Sequence, residues 1–222
     1  MKQYYLPLSK CLYDKFPAIR TKEDVIWVLL EVMRYSFNFT LTPSTDSEQA
    51  NIIIYIDKMS RIIYGEKEKI HSFQLPFYVY EKDEKVYFSY NGQNIDSKTI
   101  AVLSSILSNI KDIYNSIEDL IDIFMDAMSD FEIEEEMSSY WNILLFLLTF
   151  ESGYIRYDYD PLRENVEMHP LHHLDIGYSS NVTFKIGLKY QFVPQDLIKL
   201  LDINANCHYL DKLRKVNNEN KI

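Results

Sequence analysis

The sequence predicts an α+β fold in which antiparallel strands are flanked by helices. Three observations carry this reading. Short β-branched and aromatic runs cluster at residues 51–90. A second set, with a period of two, fills residues 151–190. Between them, apolar residues recur at spacings of three and four from about residue 98 to residue 129, as one face of a helix does. Strands and helices that are segregated along the chain favour α+β over an alternating α/β pattern.

The 222 residues read as a single domain in three parts. These are an N-terminal helix and small sheet over 1–96, a helical section over 97–150, and a C-terminal strand meander and helix over 151–222. In order, Thr21 is placed to cap a helix over Lys22 to Phe39, with Glu23 and Asp24 in its first turn. Val25, Val28, Leu29, Val32 and Met33 form its apolar stripe. Strands follow at Asn51 to Ile56, Arg61 to Tyr64, Phe77 to Tyr80 and Lys85 to Tyr90. Asn91-Gly92 is a turn signal that closes this small antiparallel sheet. His71 reads as a surface residue.

The long amphipathic helix near 98–129 carries Leu103, Leu107, Ile110, Tyr114, Ile117, Ile121, Phe124 and Met128, with a break foreseen near Asn115-Ser116. Its apolar face is too wide for a dimer seam and reads as core. The Glu132 to Glu136 run reads as a solvated surface. Tyr140 to Thr149 is apolar nearly all round and is expected as a central buried helix. Pro194 suits the first turn of a helix opened by Val193, and Cys207 to Leu213 reads as a short end helix.

The net charge is −10, and the excess acid lies almost wholly in residues 1–150. Asp112 to Glu136 contains no Lys or Arg. That balance argues against non-specific nucleic-acid binding, while leaving room for one local patch. The longest apolar run, Ile143 to Leu148, is far short of the roughly 20 residues of a membrane span, and the N-terminus lacks a secretory signal pattern. The expected location is the cytoplasm, with no membrane partner. Cys11 and Cys207 are expected to be reduced and not catalytic.

The meander is the chemically suggestive stretch. Strands are expected near 153–160, 171–178 and 182–189, as sequential antiparallel neighbours. Alternation puts Arg156, Asp158, His173, Asp175 and Lys185 on one solvent-facing side. Ile155, Tyr157, His172, Leu174 and Ile176 take the other. These five polar residues are the candidate catalytic set. His173 could move a proton, Arg156 and Lys185 could hold a phosphate, and Asp158 or Asp175 could orient the imidazole. The competing reading is a cross-strand ion-pair ladder, with Arg156 paired to Asp175 or Asp158. A metal site built on His169, His172, His173 and Asp175, joined by Asp158 and Asp160, is disfavoured because adjacent His172 and His173 point to opposite faces. The expected cofactor and metal content is none. P-loop, dinucleotide, nucleophile-elbow, HExxH and CxxC patterns are absent from the sequence.

F-E-S-G-Y-I-R-Y-D-Y-D-P (Phe150 to Pro161), followed by H-P-L-H-H-L-D-I (His169 to Ile176) and T-F-K-I-G-L, resembles a bacterial family catalogued only as domain of unknown function 2290. I-I-Y-G (Ile62 to Gly65) and F-Y-V-Y (Phe77 to Tyr80) extend that resemblance. The family name implies no activity. The R-Y-D strand with a Pro- and His-rich strand after it is also similar to the TumE-like toxins of toxin–antitoxin pairs. Here Asp175 stands in place of the last His of their Pro-His-His-x-His pattern, and Pro170 follows His169 rather than preceding it. That similarity implies a nuclease-like toxin or antiphage defence effector. It would act on RNA or DNA and be held by a cognate antitoxin or defence-complex protein. The alternative is a non-catalytic interaction subunit of a defence or regulatory complex. On the catalytic reading, His173→Ala is expected to cost about 10²–10⁴-fold in rate with little loss of stability. His172→Ala is expected to weaken the fold instead.

Overall fold

The computed structural model describes residues 2–39, 52–66, 68–113 and 116–208. Its elements run β1 (Lys2–Leu6), α1 (Lys10–Tyr13), α2 (Lys22–Ser36), β2 (Ile52–Ile56), β3 (Arg61–Glu66), β4 (Lys69–Gln74), β5 (Tyr78–Lys82), β6 (Lys85–Tyr90) and β7 (Gln93–Ile95). They continue with α3 (Ser97–Ile113), α4 (Ile117–Asp130), α5 (Met137–Thr149), β8 (Ile155–Tyr159), β9 (His172–Ile176), β10 (Phe184–Leu188) and α6 (Pro194–Leu201). The fold is α+β. An antiparallel seven-stranded sheet has the order β1-β2-β3-β4-β8-β9-β10, and β5-β6-β7 form a separate three-stranded sheet.

The meander forms as expected, with β8 pairing β9 and β9 pairing β10. The expected small N-terminal sheet does not stand alone. β2 and β3 belong to the large sheet, which becomes continuous because β4 pairs with β8, far along the chain. Everything from Leu75 to Tyr154 is therefore an excursion between two neighbouring strands. β1, β4 and β7 went unread in the sequence. Asn91-Gly92 does not end the second sheet: Asn91 at φ 49° and Gly92 at φ 82° make the tight turn from β6 into β7.

Alternation sorts the large sheet into two cores. On one face, Leu6, Ile52, Ile54, Ile62, Tyr64 and Phe73 join the apolar sides of α2, α3 and α5. On the other, Ile53, Ile63, Ile70, Tyr157 and Leu174 pack against Leu197 of α6. The helix-covered face loses its apolar character at β8 to β10, and the charged residues begin there.

The expected long helix is two helices. Ser116 Oγ accepts a hydrogen bond from the Asp119 N–H at 3.1 Å, and Asp119 Oδ2 accepts one from the Ser116 N–H at 3.0 Å. This capping box starts α4 afresh. The foreseen break is therefore present, and the apolar stripe does not run through it. Leu120, Ile123, Phe124, Ala127 and Met128 face the core, while Ile117 and Ile121 are exposed; Tyr114 lies outside the described residues. The helix α5 is half-buried rather than central, with Tyr140, Ile143, Leu144 and Leu147 inside. The same box logic starts α2, where Thr21 is the cap the sequence suggested and Asp24 returns the bond to the cap backbone. The end helix expected from Cys207 falls outside the described residues beyond His208, and Cys207 and His208 themselves are not helical.

The β3–β4 hairpin carries the strand that joins the two halves, and Gly65 makes it close. Gly65 has φ 137°, and a Cβ there would lie 2.1 Å from the Lys69 carbonyl oxygen. No L side chain fits without moving backbone. Gly65→Ala is expected to lower stability by about 3 kcal/mol, read as a shift of the urea-unfolding midpoint. An unchanged midpoint would show that the hairpin yields instead.

Candidate functional site

The sheet register lines up two transverse rows on the charged face. Tyr64 pairs His71, His71 pairs Arg156, Arg156 pairs Asp175, and Asp175 pairs Lys185. In the next row, Glu66 pairs Lys69, Lys69 pairs Asp158, Asp158 pairs His173, and His173 pairs Gly187. All five residues chosen from sequence thus come together, and β4 adds Lys69 and His71.

The five form a connected network. Arg156 donates to Asp158 Oδ2 from Nε at 3.0 Å and from Nη2 at 2.6 Å, and Nη2 also donates to Asp175 Oδ2. Lys185 Nζ donates to Asp175 Oδ1 at 2.6 Å. Two carboxylates therefore meet two cations. His173 fixes the remaining lines. Its Nδ1 lies 2.8 Å from the Pro170 carbonyl, an acceptor only, so Nδ1 carries the proton. Nε2 then accepts from Lys185 Nζ at 3.0 Å. Burial pushes the His173 pKa down, and the neighbouring Lys185 charge adds to this against the pull of Pro170, Asp175 and Asp158. The imidazole is neutral, and the buried charges balance, as charges out of water require.

This geometry corrects the picture of a solvent-facing set. The His173 side chain is wholly buried, and those of Asp158 and Asp175 are nearly so; Arg156 and Lys185 keep 26% and 33% of theirs exposed. The premise that His173 is half-exposed is thereby corrected, and His173→Ala is expected to cost stability as well as rate. The loop between β8 and β9 seals this end. Pro170 packs over Gly187, where a Cβ would meet its Cγ at 2.9 Å. His169 sets its ring edge-on to His173 at 4.5 Å and bonds Asp160 through Nε2 at 3.1 Å. His172 lies on the opposite face as expected, bonded to the Tyr157 hydroxyl at 2.8 Å and stacked between Tyr157 and Tyr159.

Asp158, His173 and Asp175 each offer a ligand atom within 4.8 Å of the others, the spacing a metal ion could draw together. Lys185 and Arg156 already occupy the inner lone pairs of that trio, so a cation would have to displace them. One atom stands apart: Asp158 Oδ1 is buried and has no hydrogen-bond partner among the described residues.

Beside the network a cleft of about 520 Å³ opens between the segment after α1 and the sheet. Arg20, Lys69, Arg156 and Arg163 line it, with Asp175 as its acidic member. Its floor is aromatic. Phe16 sets its edge to Tyr64 at 5.0 Å, Tyr64 stacks on His71 at 4.6 Å, and His71 Nδ1 shares a 2.9 Å hydrogen bond with the Tyr154 hydroxyl. His71 is thus buried, not on the surface. Sequence reasoning missed it because Lys69-Ile-His-Ser-Phe-Gln lacks a β-branched run. The available signal was Lys69, His71 and Phe73 alternating with Ile70 and Ser72.

No family model, curated protein or solved structure matches this chain. Cys11 and Cys207 are both free and exposed. Among the described residues, no helix is long and apolar enough to cross a membrane.

Burial, with the charges of Arg156 and Lys69 adding to it, pushes the His71 pKa from 6.5 down to about 3. Between those values the folded imidazole stays neutral where the unfolded one takes up a second proton. Stability is present above pH 6.5 and is lost as the pH falls from there toward 3. The expected slope from this one group is about 1.4 kcal/mol per pH unit. Urea unfolding from neutral pH to pH 4 should show it, and His71→Gln should flatten it. An unaltered slope would place the acid sensitivity elsewhere.

Proposed function

We propose that this protein is a nucleic-acid-directed effector of nuclease type that binds a phosphodiester in the cleft beside Arg156. One observation carries the reading: Arg20, Lys69 and Arg156 line one cleft of a chain whose net charge is −10, while Arg163, also at its wall, is held by Asp160. A local patch of this kind binds phosphate where overall charge would repel it. Arg156 is the anchor. Its guanidinium is oriented by Asp158 and Asp175 and lines the cleft. Cations held rigidly where charge builds on phosphate oxygens are what phosphoryl chemistry needs. His173 is a positioning residue, because its side chain is wholly buried and its Nε2 is engaged by Lys185. Lys185, partly exposed and bonded to both His173 and Asp175, holds the outer end of the network that orients Arg156. The toxin or defence setting, and a cognate partner, rest on the resemblance of the R-Y-D and His-rich strands.

A second reading, a non-catalytic interaction subunit, is favoured by the closure of the network, in which both carboxylates and the His173 Nε2 already have partners. Incubation of the purified protein with single-stranded RNA and DNA separates the two. Cleavage is expected, and Arg156→Lys should lower it by about 10²–10³-fold while the melting temperature falls only slightly. If wild-type protein leaves both nucleic acids intact, and Arg156→Lys changes only the melting temperature, the second reading stands.

A further inference from the structure

A second cavity of about 490 Å³ adjoins the cleft and shares Tyr13, Lys69 and Arg163 with it. Both volumes fall within the range of about 300–1,000 Å³ typical of small-ligand sites. Their chemistries are opposite. The cleft is basic. The second cavity is lined by Glu66, Glu68, Asp158 and Asp160, with Lys69 and Arg163 at the shared wall. Asp158, whose Oδ1 has no hydrogen-bond partner among the described residues, belongs to this acidic wall. The Lys69 side chain, at the junction, makes no hydrogen bond or ion pair among the described residues. A ligand filling both cavities must therefore be bipolar, with an anionic group on one side and hydrogen-bond donors on the other.

From this, and resting on the phosphodiester reading above, we propose that the paired cavities take one unit of single-stranded RNA. The phosphate sits in the basic cleft among Arg20, Lys69 and Arg156. The ribose hydroxyls and base amino groups donate to the carboxylates of the acidic cavity. Exposed Tyr13 stands at the shared wall and offers a ring to the base. A duplex presents neither its base faces nor its amino groups in this way, and DNA lacks the 2′-hydroxyl donor.

The test is fluorescence anisotropy with a short labelled single-stranded RNA, the DNA of the same sequence, and the RNA duplex, with inorganic phosphate as competitor. Single-stranded RNA should bind at least about tenfold more tightly than either of the others. Arg20→Ala should weaken both RNA binding and phosphate competition. The Glu68 side chain is exposed, and only its carbonyl is structural, accepting from the Tyr159 N–H at 2.8 Å. Glu68→Gln should therefore keep the fold. It should weaken RNA binding by about fivefold to tenfold and leave phosphate competition unchanged. The sign decides the matter. If the acidic wall merely repels the strand, Glu68→Gln tightens RNA binding, and the proposal is overturned. Equal affinity for duplex or DNA overturns it too, while leaving the phosphodiester reading intact. Failure of wild-type protein to bind any of the three nucleic acids overturns both.

Discussion

The pairing of β4 with β8 is the constraint on which the rest of the structure depends. Two strands separated by the whole excursion from Leu75 to Tyr154 are held side by side, with Ile70 opposite Tyr157 and His71 opposite Arg156. Closing so long a loop costs chain entropy, though the cost grows only slowly with length. What offsets it is burial on both faces of the junction. Ile70, Tyr157 and Leu174 pack under α6, while Tyr64, Phe73 and Tyr154 join the helical core on the other side. Arg61 pins the approach to β8, donating to the Ser72 hydroxyl at 2.8 Å and to the Gly153 carbonyl. With the junction made, the aromatic floor of the cleft and the charged strands become one surface.

The charge network inherits its rigidity from that junction. Two buried carboxylates would be costly alone, and so would two cations stripped of part of their water. Placed in adjacent rows of one sheet, they neutralise one another through four hydrogen bonds, and a fifth ties Lys185 to His173. The neutral His173 spans the gap between Lys185 and the Pro170 carbonyl, which is possible only because Gly187 leaves room for the proline ring. The outward parts of Arg156 and Lys185 remain positive and fixed. Such preorganised charge suits an anionic ligand, and it equally suits a stiff structural core at a sheet edge. The asymmetry between the basic cleft and its acidic neighbour tilts the balance toward a ligand, since a purely structural ladder has no need of two cavities of opposite character.

The sequence by itself determined the elements whose signals are local. The period-two alternation of β8 to β10 put Arg156, Asp158, His173, Asp175 and Lys185 on one side, because a pleated strand leaves no other choice. Thr21 with Asp24, and Pro194 after Val193, marked helix starts through groups within one turn. The break before Ile117 was legible for the same reason, although its effect on the apolar stripe was not, since a fresh cap resets the helical phase. Burial was a different matter. Which strand lies beside β8, and hence that Lys69 and His71 meet Arg156, depends on contacts across the excursion, and no local pattern encodes them. The same holds for the depth of His173. Alternation assigns a side of the sheet, but whether that side meets water or the loop carrying Pro170 is decided only when the tertiary structure folds the loop across it.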